Sequence, residues 1–283
     1  MADLFLIPEG ESAQSFFNAG KRLFIASCLY AIEQGRPTLG YAAEIMAGGG
    51  NKVRSFTTIA ETTQIPIVSR TFLEMSDVNE KTLGSYVSII QGSGLGLWND
   101  PAVDRVTSAS DFDFSTFRRK PQSLYIVVQP EHLKTLAPLV RLLFADAIAS
   151  LQRKEPGPDE PHAVMFLMDE FDQLGRQPLV LSSIKTIRSF GGRFFIISQT
   201  IPGLDDIYGE TGRRSLQGGA GVQMYMTPQD DRTADVLSNA LGRSTVTAVT
   251  ESQSRIRALE DSANVSRRSE ERPLISANEL LRF

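Results

Sequence analysis

Val164-Met165-Phe166-Leu167-Met168-Asp169-Glu170 is the stretch on which the fold turns. Five apolar residues without alternation predict a short strand covered on both faces, as in the middle of a parallel sheet, and two carboxylates stand at its C-terminal end. Working outward, Leu179 to Phe190 predicts a returning helix stopped by Gly191-Gly192, and Arg193 to Gln199 predicts a second buried strand with a polar end. Ser123 to Val128 and Ala220 to Met226 predict further strands. Leu136 to Leu151 and Asp230 to Leu241 predict the helices between them, the second capped by Thr227 or Asp230. Strands separated by helices over this half favour an open α/β sheet.

The first hundred residues read differently. Phe16, Ala19, Leu23, Ser27 and Tyr30 recur on one face of a helix over 11–33, closed by Gly35 and Pro37. Leu39 to Ala47, Phe56 to Ile59 and Val68 to Ile90 predict more helix, so this part is mostly helical. Trp98 is expected in the core. Glu155 to Pro161 predicts an exposed linker, and the highly charged stretch 251–272 a mobile loop or extension.

Composition narrows the functions. Twenty-nine Lys and Arg against 33 Asp and Glu give a net charge of -4, so nucleic-acid contact would have to be local. Arg118-Arg119-Lys120 is a small basic cluster that reads as a solvated turn or as a DNA or partner contact. Cys28, the one cysteine, cannot form an internal disulfide and reads as core, and two histidines cannot complete a typical zinc site. A reduced cytoplasmic environment fits. The apolar run from Leu23 to Ile32 is too short to cross a bilayer, and no transmembrane segment or secretory signal is expected in this chain.

A buried strand delivering two adjacent carboxylates has the form of a Walker B segment. Asp169 can orient magnesium through its water shell, and Glu170 can position or activate attacking water. A strand-end acidic turn without catalytic work is the equal alternative. Gln199 at the end of the next strand can sense phosphate or water, or satisfy a turn. Arg188 can project from a helix end toward a phosphate of the same or a neighbouring subunit, or be a solvated helix-terminal charge. The 283 residues contain no G-x-x-x-x-G-K-[ST] loop; Gly48-Gly49-Gly50-Asn51-Lys52-Val53 lacks its end, and Gly92-Ser93-Gly94-Leu95-Gly96 reads as a flexible connection. By itself the polypeptide is expected to bind ATP poorly and hydrolyse little or none.

Several segments in order add to this. Ser110 to Asp113, Leu124 to Val128, Phe166 to Phe171, Leu174-Gly175, Gly191-Gly192, Ser198-Gln199, Leu204 to Gly209, Gly221 to Gln223, Leu241-Gly242 and Arg272 to Ile275 resemble the TraG/TraD-like coupling-protein family of conjugative type IV secretion. The resemblance implies an α/β fold, a partial RecA-like P-loop NTPase parallel sheet with an all-helical inserted domain. It divides the chain into a remnant or start of the motor region at 1–10, the inserted domain at 11–105, the later motor at 106–250 and a charged loop and extension at 251–283. It implies ATP and Mg2+ as cofactors of the complete assembly, with Asp169 as the magnesium-orienting residue, Glu170 as the hydrolytic residue, Gln199 as sensor and Arg188 as the trans-acting arginine.

The implied partners are single-stranded DNA, a relaxase or relaxosome, and the type IV secretion channel at the cytoplasmic side of the bacterial inner membrane. Complete relatives form hexamers. The Walker A region and membrane anchor of the family have no counterpart here, so the expectation is a fragment that needs a missing motor half, whose absence would expose apolar faces and edge donors of the buried strands. The alternatives are a nonenzymatic DNA- or relaxosome-binding module, and another RecA-like nucleic-acid motor.

Overall fold

The computed structural model describes residues 2–8, 14–252 and 264–282. By internal contacts it divides into two compact units, Met1–Ile197 and Ser198–Phe283.

The first unit opens with α1 (Ala2–Phe5), α2 (Gln14–Glu33), α3 (Leu39–Ala47), α4 (Lys52–Thr62), α5 (Pro66–Ser76), α6 (Glu80–Gly92) and α7 (Pro101–Val106). Their boundaries follow local chemistry. Thr38, Asn51, Asn79 and Asp100 each accept a backbone N–H of the first turn they precede. The run expected as one helix over 68–90 is two, because Asp77 ends α5 and Asn79 caps a new start.

One apolar core joins these helices. Phe56 and Phe72 meet edge to face at 5.0 Å, and Tyr30 closes on Phe72 from the other side at 6.5 Å. Phe5, Phe24 and Trp98 form a second aromatic group, with Trp98 buried and its Nε1–H donating to Thr107 Oγ1 at 2.8 Å. Gly20 is required where α2 crosses α6, since a Cβ there would lie 2.6 Å from the Tyr86 carbonyl oxygen. Cys28 packs against this core, and burial pushes its thiol up to about 12.

The core continues into α8 (Leu133–Gln152), whose Leu139 and Leu142 pack against the helical group. By length and composition alone 130–152 could cross a membrane; here Ile148 and Leu151 are buried inside the unit. β1 (Val164–Met168), α9 (Pro178–Ser183) and β2 (Gly192–Ile196) follow. The strands are parallel, with Val164 opposite Gly192 and Met168 opposite Ile196.

Four strand expectations change, the first being that β2, expected as a buried strand over 193–199, ends at Ile196 and leaves Phe195 51% exposed. β1 is covered on one face only: Phe166 and Met168 are buried, while Met165 and Leu167 are 62% and 59% exposed. Among the described residues Ser123 to Val128 joins no ladder, leaving Val127 89% exposed, and Ala220 to Met226 likewise forms no strand, with Val222 83% exposed. A strand sequence makes a strand only when a neighbour supplies its hydrogen bonds.

The second unit contains α10 (Ile201–Gly219), kinked at Gly209, α11 (Asp231–Leu241), β3 (Arg243–Ser252), β4 (Asn264–Pro273) and α12 (Ala277–Leu280). Asp230 caps α11 as expected, its Oδ1 accepting the Thr233 N–H at 2.8 Å. β3 and β4 pair antiparallel, so part of the stretch expected as a mobile loop is a ladder; 253–263 lie outside the described residues. Cross-strand hydrogen bonding organises this charged sequence without an apolar core pattern.

Candidate nucleotide site at the end of the first strand

The acidic pair is held by an interruption in the β1–β2 pairing. The Ile197 N–H donates to the Met168 carbonyl at 3.0 Å, and the Phe171 N–H donates to the Ile197 carbonyl at 2.9 Å. Met168 and Phe171 therefore both engage Ile197 across two residues where a regular parallel ladder has one, and the extra residue bulges Asp169-Glu170 from the pairing. Phe171 anchors the far side of this bulge in the core, where it is fully buried.

Glu170 adopts φ 48°, the one positive φ at a non-glycine residue among the described residues. A left-handed backbone at a residue with a Cβ costs about 1 kcal/mol or more and marks a position held by its surroundings. Two bonds hold it: its N–H donates to Asp169 Oδ1 at 3.0 Å, and its carbonyl accepts the Gln173 N–H at 2.8 Å. Asp169 is exposed and Glu170 half-buried, so both carboxylates can meet a ligand from solvent.

An open cavity of about 920 Å³ ends at this pair. Leu143, Phe144 and Ala147 of α8, the extended segment 123–128 and Phe166 and Met168 of β1 line it. Its walls are mainly apolar, with Gln122, Ser123 and His162 as polar members away from the acidic end.

Arg188 lies in the same unit, exposed on the turn that follows α9. Its carbonyl accepts the Gly191 N–H at 3.1 Å and Arg193 Nη1 at 3.3 Å. The helix expected over 179–190 stops at Ser183, so Arg188 rides on hydrogen-bonded turns instead of a helix end. Gln199 belongs to the second unit, exposed and just before Thr200, which caps α10 by accepting the Gly203 N–H at 3.1 Å.

A buried ionic cluster was not expected. Arg118, read from sequence as part of a solvated turn or a DNA contact, is 2% exposed and paired with Glu160 at 3.1 Å. Glu160, in the segment read as an exposed linker, is buried with it and also pairs with Lys154 at 3.1 Å. Burial raises the Glu160 carboxyl, but hydrogen bonds from Lys154 and Gly157 and the charges of Arg118 and Lys154 outweigh it, and its pKa falls below the ordinary glutamate value. Opposite charges about forty residues apart were the available signal, and Pro156 and Pro158 around a glycine masked it. Arg119 remains half exposed on Asp159 at 3.4 Å.

Among the described residues no group of three or more His, Cys, Asp or Glu could hold a metal alone. The donor chemistry nevertheless fits magnesium, which commonly takes one or two carboxylates and completes its shell with water and phosphate oxygens. Asp169 and Glu170 are the carboxylates in reach of such a ligand.

Two solved structures of the plasmid coupling protein TrwB, one with the non-hydrolysable ATP analogue ADPNP and one with ADP and Mg2+, superpose with TM-scores of 0.66 and 0.61. They are 18% and 17% identical to this chain, and each match covers 99% of it and 61% of the TrwB chain. The fold is thus the α/β fold of the TrwB coupling protein. The sequence profile for Type IV secretory system Conjugative DNA transfer matches residues 2–283, and the chain belongs to that family. Protein VirD4 of Agrobacterium fabrum (strain C58 / ATCC 33970) is 37% identical over 266 residues, covering 94% of this chain and 40% of VirD4. The chain therefore spans about 40% of the length of that curated relative.

Proposed function

We propose that the chain is the later part of a coupling ATPase that powers transfer of single-stranded DNA or nucleoprotein into a type IV secretion channel, from the cytoplasmic side of the bacterial inner membrane. The observation that carries this reading is the extruded Asp169-Glu170 pair, with Glu170 at φ 48°. A backbone conformation that costs energy and presents two carboxylates outward is more economically read as a chemical site than as an acidic turn.

In this reading Asp169 would hold magnesium, and Glu170, turned from the ladder by its own backbone, would take the proton of the water that attacks the terminal phosphoryl group. Bound ATP with Mg2+ supplies the phosphoryl group and the charge compensation for its transfer. Arg188, exposed on its turn, reaches phosphate oxygens across a subunit boundary, and Gln199 reports the nucleotide's state by hydrogen bonding. A hexamer with relaxosome and single-stranded DNA as partners accords with these roles. Residues 11–105 form the inserted helical domain, and 106–250 the motor.

The exposed faces of β1 and of the segments 123–128 and 220–226 support completion of the motor sheet by further strands, together with a lysine-containing phosphate loop. The experiment joins this chain to such a Walker A-bearing half and measures magnesium-dependent, DNA-stimulated ATP hydrolysis. Glu170→Gln is expected to lower kcat by about 10²-fold or more with little change in KM. Unchanged turnover would reject Glu170 as the base.

A further inference from the structure

Arg118 is costly to bury and has no direct line to phosphate chemistry, yet it is among the most deeply enclosed side chains of the first unit. Its guanidinium gathers carbonyls from three places. Nη1 donates to Leu151 at 3.3 Å and Lys154 at 3.0 Å, at and beyond the end of α8, and to Phe190 at 2.8 Å. Nη2 faces Glu160 at 3.1 Å. The two hydrogens of Nη1 are shared among three carbonyls while Nη2 is left for the carboxylate, so the planar guanidinium joins the carbonyls and Glu160 through separate nitrogens.

The shortest of these bonds ends on the turn that carries Arg188. Phe190 is followed by Gly191 at φ 76°, and a Cβ on Gly191 would lie 3.3 Å from Arg118 Cδ and 3.2 Å from Pro156 Cγ. Gly191 thus admits the arginine stem where any other residue would be both strained and crowded. The Gly191 N–H returns to the Arg188 carbonyl at 3.1 Å, and the Gly191 carbonyl accepts the Val164 N–H that begins β1. The backbone of Arg188 is one hydrogen bond from the residue against which Arg118 lies, while the Arg188 side chain stays exposed.

We propose that Arg118, locked to Glu160, is a positioning residue that holds the Phe190 carbonyl and so fixes the turn from which Arg188 reaches outward. The inference rests on the reading of Arg188 given above. An arginine rooted in a fixed turn and free at its tip loses less conformational freedom on meeting a phosphate than one on a loose loop. The ion pair with Glu160 keeps the guanidinium from turning to solvent, and Lys154 keeps Glu160 charged in place.

The test uses the complete coupling protein carrying Arg118→Met with Glu160→Gln, a pair that leaves no buried charge orphaned. Hydrogen exchange at the amides of 188–192 is expected to rise at least about tenfold while exchange in α2 and α5 is unchanged. ATPase kcat is expected to fall at least about tenfold with KM for ATP unchanged, and adding Arg188→Ala to the pair should cause no further loss. A merely structural role would lower stability without this non-additivity. Native exchange at 188–192, or losses that multiply with those of Arg188→Ala, would overturn the proposal. If Arg188→Ala alone leaves kcat unchanged, the reading of Arg188 falls and this inference with it. Should the double variant not fold, Arg118→Lys decides: reduced kcat at constant KM supports the fork's role, and wild-type kcat overturns it.

Discussion

Glu170 occupies a backbone conformation that glycine would adopt without strain, and it does so beside a second carboxylate. Glu170→Gly should therefore stabilise the folded chain by up to about 1 kcal/mol in denaturant melts, while removing hydrolysis from the completed motor. A loss of stability would show that the Glu170 side chain contributes to the fold. Glu160 gives a second expectation, of known sign. Its folded-state pKa is below the ordinary value of 4.5, so its stabilising contribution is complete above that value and is lost as the pH falls through the folded pKa. Glu160→Gln should flatten the acid limb of a melting-temperature profile below about pH 4.5; an unchanged slope would reject the assignment. The acidic pair was visible in the sequence because a bare apolar run ends in two carboxylates. The Arg118–Glu160 pair was not, because burial of a charge depends on a distant partner and local composition argued for solvent at both ends.

Some helices of the first unit were legible from their own cap and apolar stripe, while α5 and α6 read as one run because the break at Asp77 and Asn79 is short. Leu39–Ala47 matched the expectation end to end, with Thr38 accepting the Tyr41 N–H at 3.2 Å. Their packing is where energy is concentrated: Phe72, fully buried against Phe56 and Tyr30, should cost about 3–5 kcal/mol on substitution by Ala. A loss under about 1 kcal/mol in chemical denaturation would mean the three rings do not form a common core. The strands were less legible. Val164–Met168 and Gly192–Ile196 pair because each supplies the other's ladder, whereas Ser123 to Val128, also rich in apolar residues, forms no ladder among the described residues. Sequence shows the preference for a strand; its realisation lies in a neighbour that local pattern does not contain.

At the scale of the molecule, the most exposed apolar side chains among the described residues include many in would-be sheet: Tyr125, Val127, Met165, Leu167, Phe195, Val222, Met224 and Met226. Such surfaces associate in water unless covered. Replacing Met165 and Leu167 together with Lys should raise the solubility of the chain on its own and abolish its assembly with a Walker A-bearing half, measured by light scattering and co-purification. Assembly that survives both changes would place the completing strand elsewhere. The net charge of -4 gave no global attraction for DNA, and nothing in the fold contradicts a contact that is local and confined to the assembled particle.

Because Met168 and Phe171 both bind Ile197, the sheet closes its hydrogen bonds without help from the two residues between them. The ladder bonds on either side of Asp169 and Glu170 run through backbone atoms, so Glu170→Gln, which keeps the shape of the side chain and leaves Asp169 Oδ1 to accept the Glu170 N–H, is the change that disturbs the scaffold least.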